Sequence, residues 1–225
     1  YRRLRFWRNT SVANLASGQT AILGNQTLGY EWDYEQAQYA DSYPPGRITL
    51  SSRTINNLTH KLSLYRHSSG ALVFGAGTIQ WSWGLDGQHR GGTTIISPEM
   101  QQATVNLFAD MGVQPGSLQP GLVGASTSAD FATPTSAITS PANGSNFSSA
   151  TSITISGTSS DGGGGVGAGV EVSVDGGNTW KVATASEPNV NVTWSFQWTP
   201  PSGGTFNLRC RSFDDSGNRE NAGAG

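Results

Sequence analysis

Glu31 is the carboxylate of this chain best placed for acid–base chemistry. It lies in the run Gly29-Tyr-Glu-Trp-Asp33, between Tyr30 and Trp32. Aromatic neighbours there would strip water from the carboxylate and raise its affinity for a proton, which suits a general acid or base. The competing reading is a solvated charge on a surface loop. Asp33 and Glu35 follow at two and four residues. An extended backbone would turn the three acids to one face, where they either bind a cation through oxygen or repel each other in solvent. Tyr30 and Tyr34 bring phenol oxygens to the same stretch, so Tyr30 and Asp33 are candidate metal ligands without identified partners.

A second constellation lies in Ala71-Leu-Val-Phe-Gly-Ala-Gly-Thr-Ile-Gln-Trp-Ser-Trp-Gly-Leu85. The run begins as an apolar strand and breaks at Gly75 and Gly77. Read as extended throughout, it places Trp81 and Trp83 on one face and delivers Gln80, Trp81 and Trp83 to the rim of a site, as candidate substrate-binding residues. Two indoles at i and i+2 can stack on a sugar, although large aromatics more often pack beneath a helix. His89 follows in the loop Asp86-Gly-Gln-His-Arg-Gly-Gly92 and is the histidine best placed for substrate contact. His60, His67 and His89 have no HxH, HExxH or Cys/His spacing, which argues against a self-contained zinc site. The glycine-rich fragments read as kinks and turns, not as a phosphate loop.

The elements that must position these residues change character near Gly121. Before it, signals mix. Leu4 to Trp7 is extended in character, Ser11 to Leu15 reads as a short helical turn, and Ile48 to Leu50 as a short strand. His60 to Arg66 alternates, turns at His67-Ser-Ser-Gly70 and returns through Ala71 to Trp83 as a hairpin. One helix follows, with Ser97 as N-cap, Pro98 at the first position and Glu99 at the positive end of the dipole. Met100, Thr104, Leu107, Phe108 and Met111 share one face of it, and Gly112 ends it. Residues 123–133 are small and polar without period, so they read as a linker.

After the linker every signal is β. Ser152–Gly157, Gly169–Val174, Thr179–Ala183, Thr193–Thr199 and Phe206–Phe213 alternate, as a sandwich requires, and the last strand, which would begin where the chain stops, is expected to be missing. Asp175-Gly-Gly-Asn178 and Asp214-Asp-Ser-Gly-Asn218 are turn sequences. Asp214 and Asp215 offer only two adjacent carboxylates, so no calcium site and no catalytic residue is expected in this half. Cys210, the single cysteine, falls in an alternating strand and reads as a buried, inert thiol.

Charge is sparse, with 13 Lys+Arg against 15 Asp+Glu, and neither half carries the basic stripe that nucleic acid demands. Arg2, Arg3, Arg5 and Arg8 form the one cluster and read as a solvated edge. No apolar run reaches the roughly 18 residues of a membrane span. Tyr1 at the start and Asn221-Ala-Gly-Ala-Gly225 at the end are expected of a piece of a longer chain, so the missing signal peptide says nothing about secretion. Asn-x-Ser/Thr sequons occur at Asn9, Asn25, Asn57, Asn143, Asn146 and Asn191, and matter only in a eukaryotic source.

Two families are resembled. Ile138-Thr-Ser-Pro-Ala-Asn-Gly144, Val170-Glu-Val-Ser-Val-Asp-Gly-Gly-Asn-Thr-Trp180, Thr193-Trp-Ser-Phe-Gln-Trp-Thr-Pro200 and Arg211-Ser-Phe-Asp-Asp-Ser-Gly-Asn218 resemble the immunoglobulin-like modules of bacterial exported and cell-surface proteins. Leu4-Arg-Phe-Trp-Arg8, Leu28-Gly-Tyr-Glu-Trp-Asp33, the run Gly70 to Leu85 and the helix Glu99 to Asp110 resemble the C-terminal part of the N,N-dimethylformamidase large (beta) subunit family. The second resemblance implies a glutamine-amidotransferase-like open α/β sheet, amide hydrolysis, mononuclear iron held by tyrosine and carboxylate, and an active-site glutamate at Glu31. Most metal ligands would then lie before Tyr1.

The organisation expected is an incomplete α/β domain over 1–122, a linker over 123–133 and an immunoglobulin-like sandwich over 134–225 that is truncated at its last strand. The function expected is that of a fragment of an exported bacterial protein, at the cell surface or outside it, with an amidase-like hydrolase domain and a spacer module. The alternative is a non-catalytic display protein with a degenerate α/β domain. The expected partners are a small-molecule amide or a surface glycan, and further domains of the same chain.

Overall fold

In the computed structural model, residues 1–29, 31–89 and 96–221 are described. Two compact units are present: Tyr1–Ala37 with Thr49–Ala129, and Gln38–Ile48 with Asp130–Gly225.

The first unit is built on a three-stranded sheet of β1 (Ile48–Ile55), β2 (Leu58–Arg66) and β3 (Leu72–Gly75), in that order. Asn56 and Asn57 both adopt positive φ (49° and 64°), the conformation of a two-residue hairpin turn that asparagine tolerates. β3 pairs antiparallel with β2, in the register Ser63↔Gly75 to Arg66↔Leu72. The described strands of this unit do not make the open α/β sheet implied by the dimethylformamidase resemblance. Both connections are too short for the crossover that parallel pairing needs, and the helix lies after the last strand.

That helix, α1 (Pro98–Asp110), starts as expected: the Ser97 hydroxyl accepts from the Met100 N–H and Pro98 opens the first turn. Its buried set differs from the expected stripe. Gln102, Asn106 and Ala109 are buried, whereas Phe108 is 46% exposed. The reason is a polar anchoring of the N-terminal segment. Asn106 Nδ2 donates to the carbonyls of Phe6 (2.9 Å) and Arg8 (2.6 Å), and Gln102 both donates to Val123 O and accepts from Val123 N–H. Arg5 and Arg8 grip Asp110 at 2.7–3.2 Å, so two of the four clustered arginines are structural rather than a solvated edge. Leu4–Trp7 is a buried 3₁₀ turn over Arg5–Trp7, not a strand, and Trp7 donates to Leu50 O.

The second unit is an immunoglobulin-like sandwich. One sheet has the order β10 (Arg209–Asp214), β6 (Gly167–Ser173), β7 (Lys181–Val182). The other has the order β4 (Thr135–Ser140), β5 (Ile153–Ser160), β9 (Asn191–Trp198), β8 (Thr184–Ala185). Ile153, Ile155, Val170, Val172, Ala183, Trp194 and Cys210 form its core, in keeping with the alternation of the valines and of Trp194. Glu171 and Ser173, on the opposite face of β6, are buried as well. The stretch 38–48 accounts for Glu171: Gly46 N–H donates to its carboxylate (2.8 Å), and Arg211 Nε donates at 2.6 Å. No described helix is long and apolar enough to cross a membrane.

Candidate functional site

The backbone brings the two sequence constellations of the first unit together. Trp32 bridges Thr78, Asp33 N–H donates to Gly77 O (2.7 Å) and Ile79 N–H to Glu31 O (3.4 Å). The segment 31–33 thus lies beside the chain that leads from β3 to the tryptophans. The path of that chain departs from the expected strand. β3 stops at Gly75, Gly77 takes a positive φ of 62°, and Thr78 Oγ accepts from the Gln80 N–H in a local turn. Trp81–Gly84 then closes as a 3₁₀ turn.

The two indoles consequently point to different partners and form no common platform. Trp81 donates to Thr104 Oγ on α1 (3.3 Å) and meets Phe74 edge-on at 5.5 Å, so it packs beneath the helix. Trp83 stacks on His89 at 4.3 Å with the ring planes 11° apart. Both ring nitrogens of His89 are buried without a hydrogen-bond partner among the described residues. Gln80 is buried against Gly29: a Cβ there would overlap the Gln80 amide, and Gly29 has φ 50°. Gln80 Oε1 also lacks a partner among the described residues.

Glu31 itself is exposed, as are Asp33 and Tyr34. Tyr30 and the loop residues 90–92 lie outside the described residues. Glu35 is committed to Lys61, at 2.6 Å. Among the described residues of this unit, no three histidine, cysteine or acidic side chains converge, so the expected row Glu31–Asp33–Glu35 forms no cation site. The residues present do not fit the iron centre implied by the resemblance: the two acids nearest Tyr30 and Tyr34 face solvent. His60 is buried, with Nε2 3.0 Å from Ala76 O and its ring 6.2 Å from Trp32; burial lowers its pKa.

Carboxylates do converge in the second unit, where the sequence reading expected none. Asp130, Asp161 and Asp214 each place an oxygen so that all lie within 4.8 Å of one another. All three are buried, and so is Asp215. Backbone N–H groups orient them: Gly163 to Asp161 Oδ1 (3.0 Å), Ala132 to Asp130 Oδ1 (3.0 Å), Ser216 and Asn218 to Asp214 Oδ1 (2.9 and 2.8 Å), Val166 to Asp215 Oδ1 (3.3 Å). Burial pushes the Asp214 carboxyl up to about 7, with Asp130 adding to the rise and hydrogen bonds from Asn218 and Ser216 opposing it. The sequence carried a signal for this cluster in the glycine run 162–165. A Cβ at Gly163 would strike the Asp130 carboxylate. One at Gly165 would sit 2.5 Å from Asp130 Oδ2, 3.0 Å from Asp215 Oδ1 and 3.1 Å from Asp161 Oδ2.

No curated protein matches the chain. Among solved structures, sulfane dehydrogenase SoxCD from Paracoccus pantotrophus aligns at 26% identity over 39% of this chain and 23% of that chain, with a TM-score of 0.35. The order of the two resemblances read from the sequence is matched by family models. Residues 2–94 match the family described as N,N-dimethylformamidase beta subunit-like, C-terminal, and residues 134–209 match the bacterial Ig domain.

Proposed function

We propose that this chain is the C-terminal part of an amidase-like hydrolase of an exported bacterial protein, followed by an immunoglobulin-like spacer. The match of residues 2–94 carries the reading. Residues 1–122 then supply the C-terminal part of the hydrolase domain, with 123–133 as the linker to the sandwich. Glu31 is the acid–base group, and Gln80, Trp83 and His89 line the substrate side. The Gln80 oxygen and His89 nitrogens, buried and without a partner among the described residues, are consistent with groups kept for a polar ligand such as a small amide. The test is hydrolysis of small amides, N,N-dimethylformamide first, by the full-length protein. Glu31→Gln should lower turnover by about 10²–10⁴ with folding intact. A loss below about tenfold refutes the assignment.

The exposure of Glu31 favours a second reading, a surface display protein that binds glycans. A cleft of about 660 Å³ at one end of the sandwich is bordered by Pro141, Phe147, Trp198 and Phe206, with Trp198 and Phe206 edge-to-face at 4.8 Å. Binding to a glycan panel that is abolished by Trp198→Ala, with no amide hydrolysis by the full-length protein, would select this reading.

A further inference from the structure

The acidic cluster of the sandwich has the properties of a cation site. Its three converging oxygens come from three separate places: Asp130 ahead of β4, Asp161 after β5 and Asp214 at the end of β10. Asp215 stands at the edge, since its Oδ1 and the facing oxygens of Asp130 and Asp161 all lie within 2.5–3.1 Å of one point, the Cβ position that Gly165 leaves vacant. A second observation is independent of this convergence. Asp161 is only 1% exposed, yet its Oδ2 accepts no hydrogen bond, while its Oδ1 is held by Gly163 N–H. An orphaned, oriented, buried carboxylate oxygen is costly unless something positive meets it. Among the described residues neither Asp161 nor Asp214 has a lysine or arginine partner; the hydrogen bonds to Asp214 come from backbone N–H groups and Asn218.

We propose that Asp130, Asp161 and Asp214, with Asp215 at the margin, bind one calcium ion. The donors are all hard oxygens, which select calcium, magnesium or manganese over zinc or copper. A separation of up to 4.8 Å between ligand oxygens spans the two ends of an ion with Ca–O bonds of about 2.4 Å. Magnesium, at about 2.1 Å, would require contraction of a cluster whose oxygens are already fixed by backbone N–H donors. The ion would tie Asp130 to the ends of two strands, so its effect is on the stability of the sandwich and not on any step at Glu31.

The test is calorimetric titration of the 225-residue chain with calcium chloride, alongside thermal unfolding in EDTA, calcium or magnesium. One calcium per chain is expected, with a Kd of about 1 mM or below, as in extracellular modules, and a rise in Tm of several degrees when calcium is in large excess over Kd. Asp161→Asn should abolish both. Its Tm in EDTA should equal or exceed that of the native chain, because a repelled charge is removed. Binding by the native chain is measured independently, so a variant that fails to fold leaves the titration to decide. No binding up to about 10 mM calcium, an equal shift with magnesium, or an undiminished calcium shift in a folded Asp161→Asn chain would each overturn the proposal.

Discussion

Replacing Asp110 by Asn tests whether the arginine cluster holds the first unit together. The Asp110 carboxylate, 9% exposed, receives Arg5 at 2.9 and 2.7 Å and Arg8 at 3.0 and 3.2 Å, and the two arginine side chains are 21% and 22% exposed. At an effective dielectric of about 20, each pair gains roughly 4 kcal/mol of Coulomb energy before desolvation and mutual arginine repulsion are subtracted. Removing one partner of a buried pair costs about 3–5 kcal/mol; the partial exposure here argues for the lower end, about 3 kcal/mol. Asn keeps one acceptor and turns an NH₂ toward a guanidinium. α1 is the α-helix among the described residues of this unit, so ellipticity at 222 nm in urea reports the unit that matters. With a slope of about 2 kcal/mol/M, the midpoint should fall by about 1.5 M. The loss should persist in about 1 M NaCl, which screens surface pairs. A shift below about 0.5 M, or one that vanishes in salt, would refute the structural role of the cluster.

Three further outcomes are expected. Because burial lowers the His60 pKa, the unfolded chain binds more protons than the folded one. The stabilising contribution of neutral His60 is complete above its ordinary value near 6.5 and is lost as pH falls through that value toward the depressed one; urea midpoints at pH 7.5 and 5 should show the drop, and His60→Gln should reduce it. Gly157→Ala would drive a Cβ into Ala137 O and the Trp194 indole, and should cost about 3 kcal/mol and lower the Tm of the sandwich by about 10 °C or more. Arg211→Lys should cost about 1–2 kcal/mol in a denaturant titration, since an ammonium cannot both reach Glu171 and lie flat over Trp180 as the guanidinium does at 4.0 Å.

The capped helix and the strands of the sandwich were legible because their signals are local. Ser97-Pro-Glu fixes a helix start, and valines in alternation fix a strand face, whatever else the chain does. The chain does not take the extended path expected through Gln80, Trp81 and Trp83, because glycine and threonine turn the backbone after Gly75, and no period marks such a turn. The acid cluster is not legible in the sequence for a different reason. Asp130, Asp161 and Asp214 lie 31 and more residues apart in the chain, and their convergence is a property of the assembled sandwich. Only the glycines that keep space for the carboxylates betray it along the chain. Glu171 shows the same limit: alternation assigned it outward, and only the stretch around Gly46 explains its burial.

The second unit is not contiguous in the chain. Residues 38–48 belong to it, although they fall inside the span matched to the dimethylformamidase-like family, and Asp130, Asp214 and Asp215 fall outside the span 134–209 matched to the Ig domain. The module therefore cannot be transplanted as a cassette cut at its family boundaries. Such a cut would remove the Gly46 donor from Glu171 and leave Asp161 without its neighbouring acids. A piece that keeps the sandwich whole has to take in residues 38–48 and Asp130 as well as the Ig-matched span, because part of what seals it is written in the sequence of its neighbour.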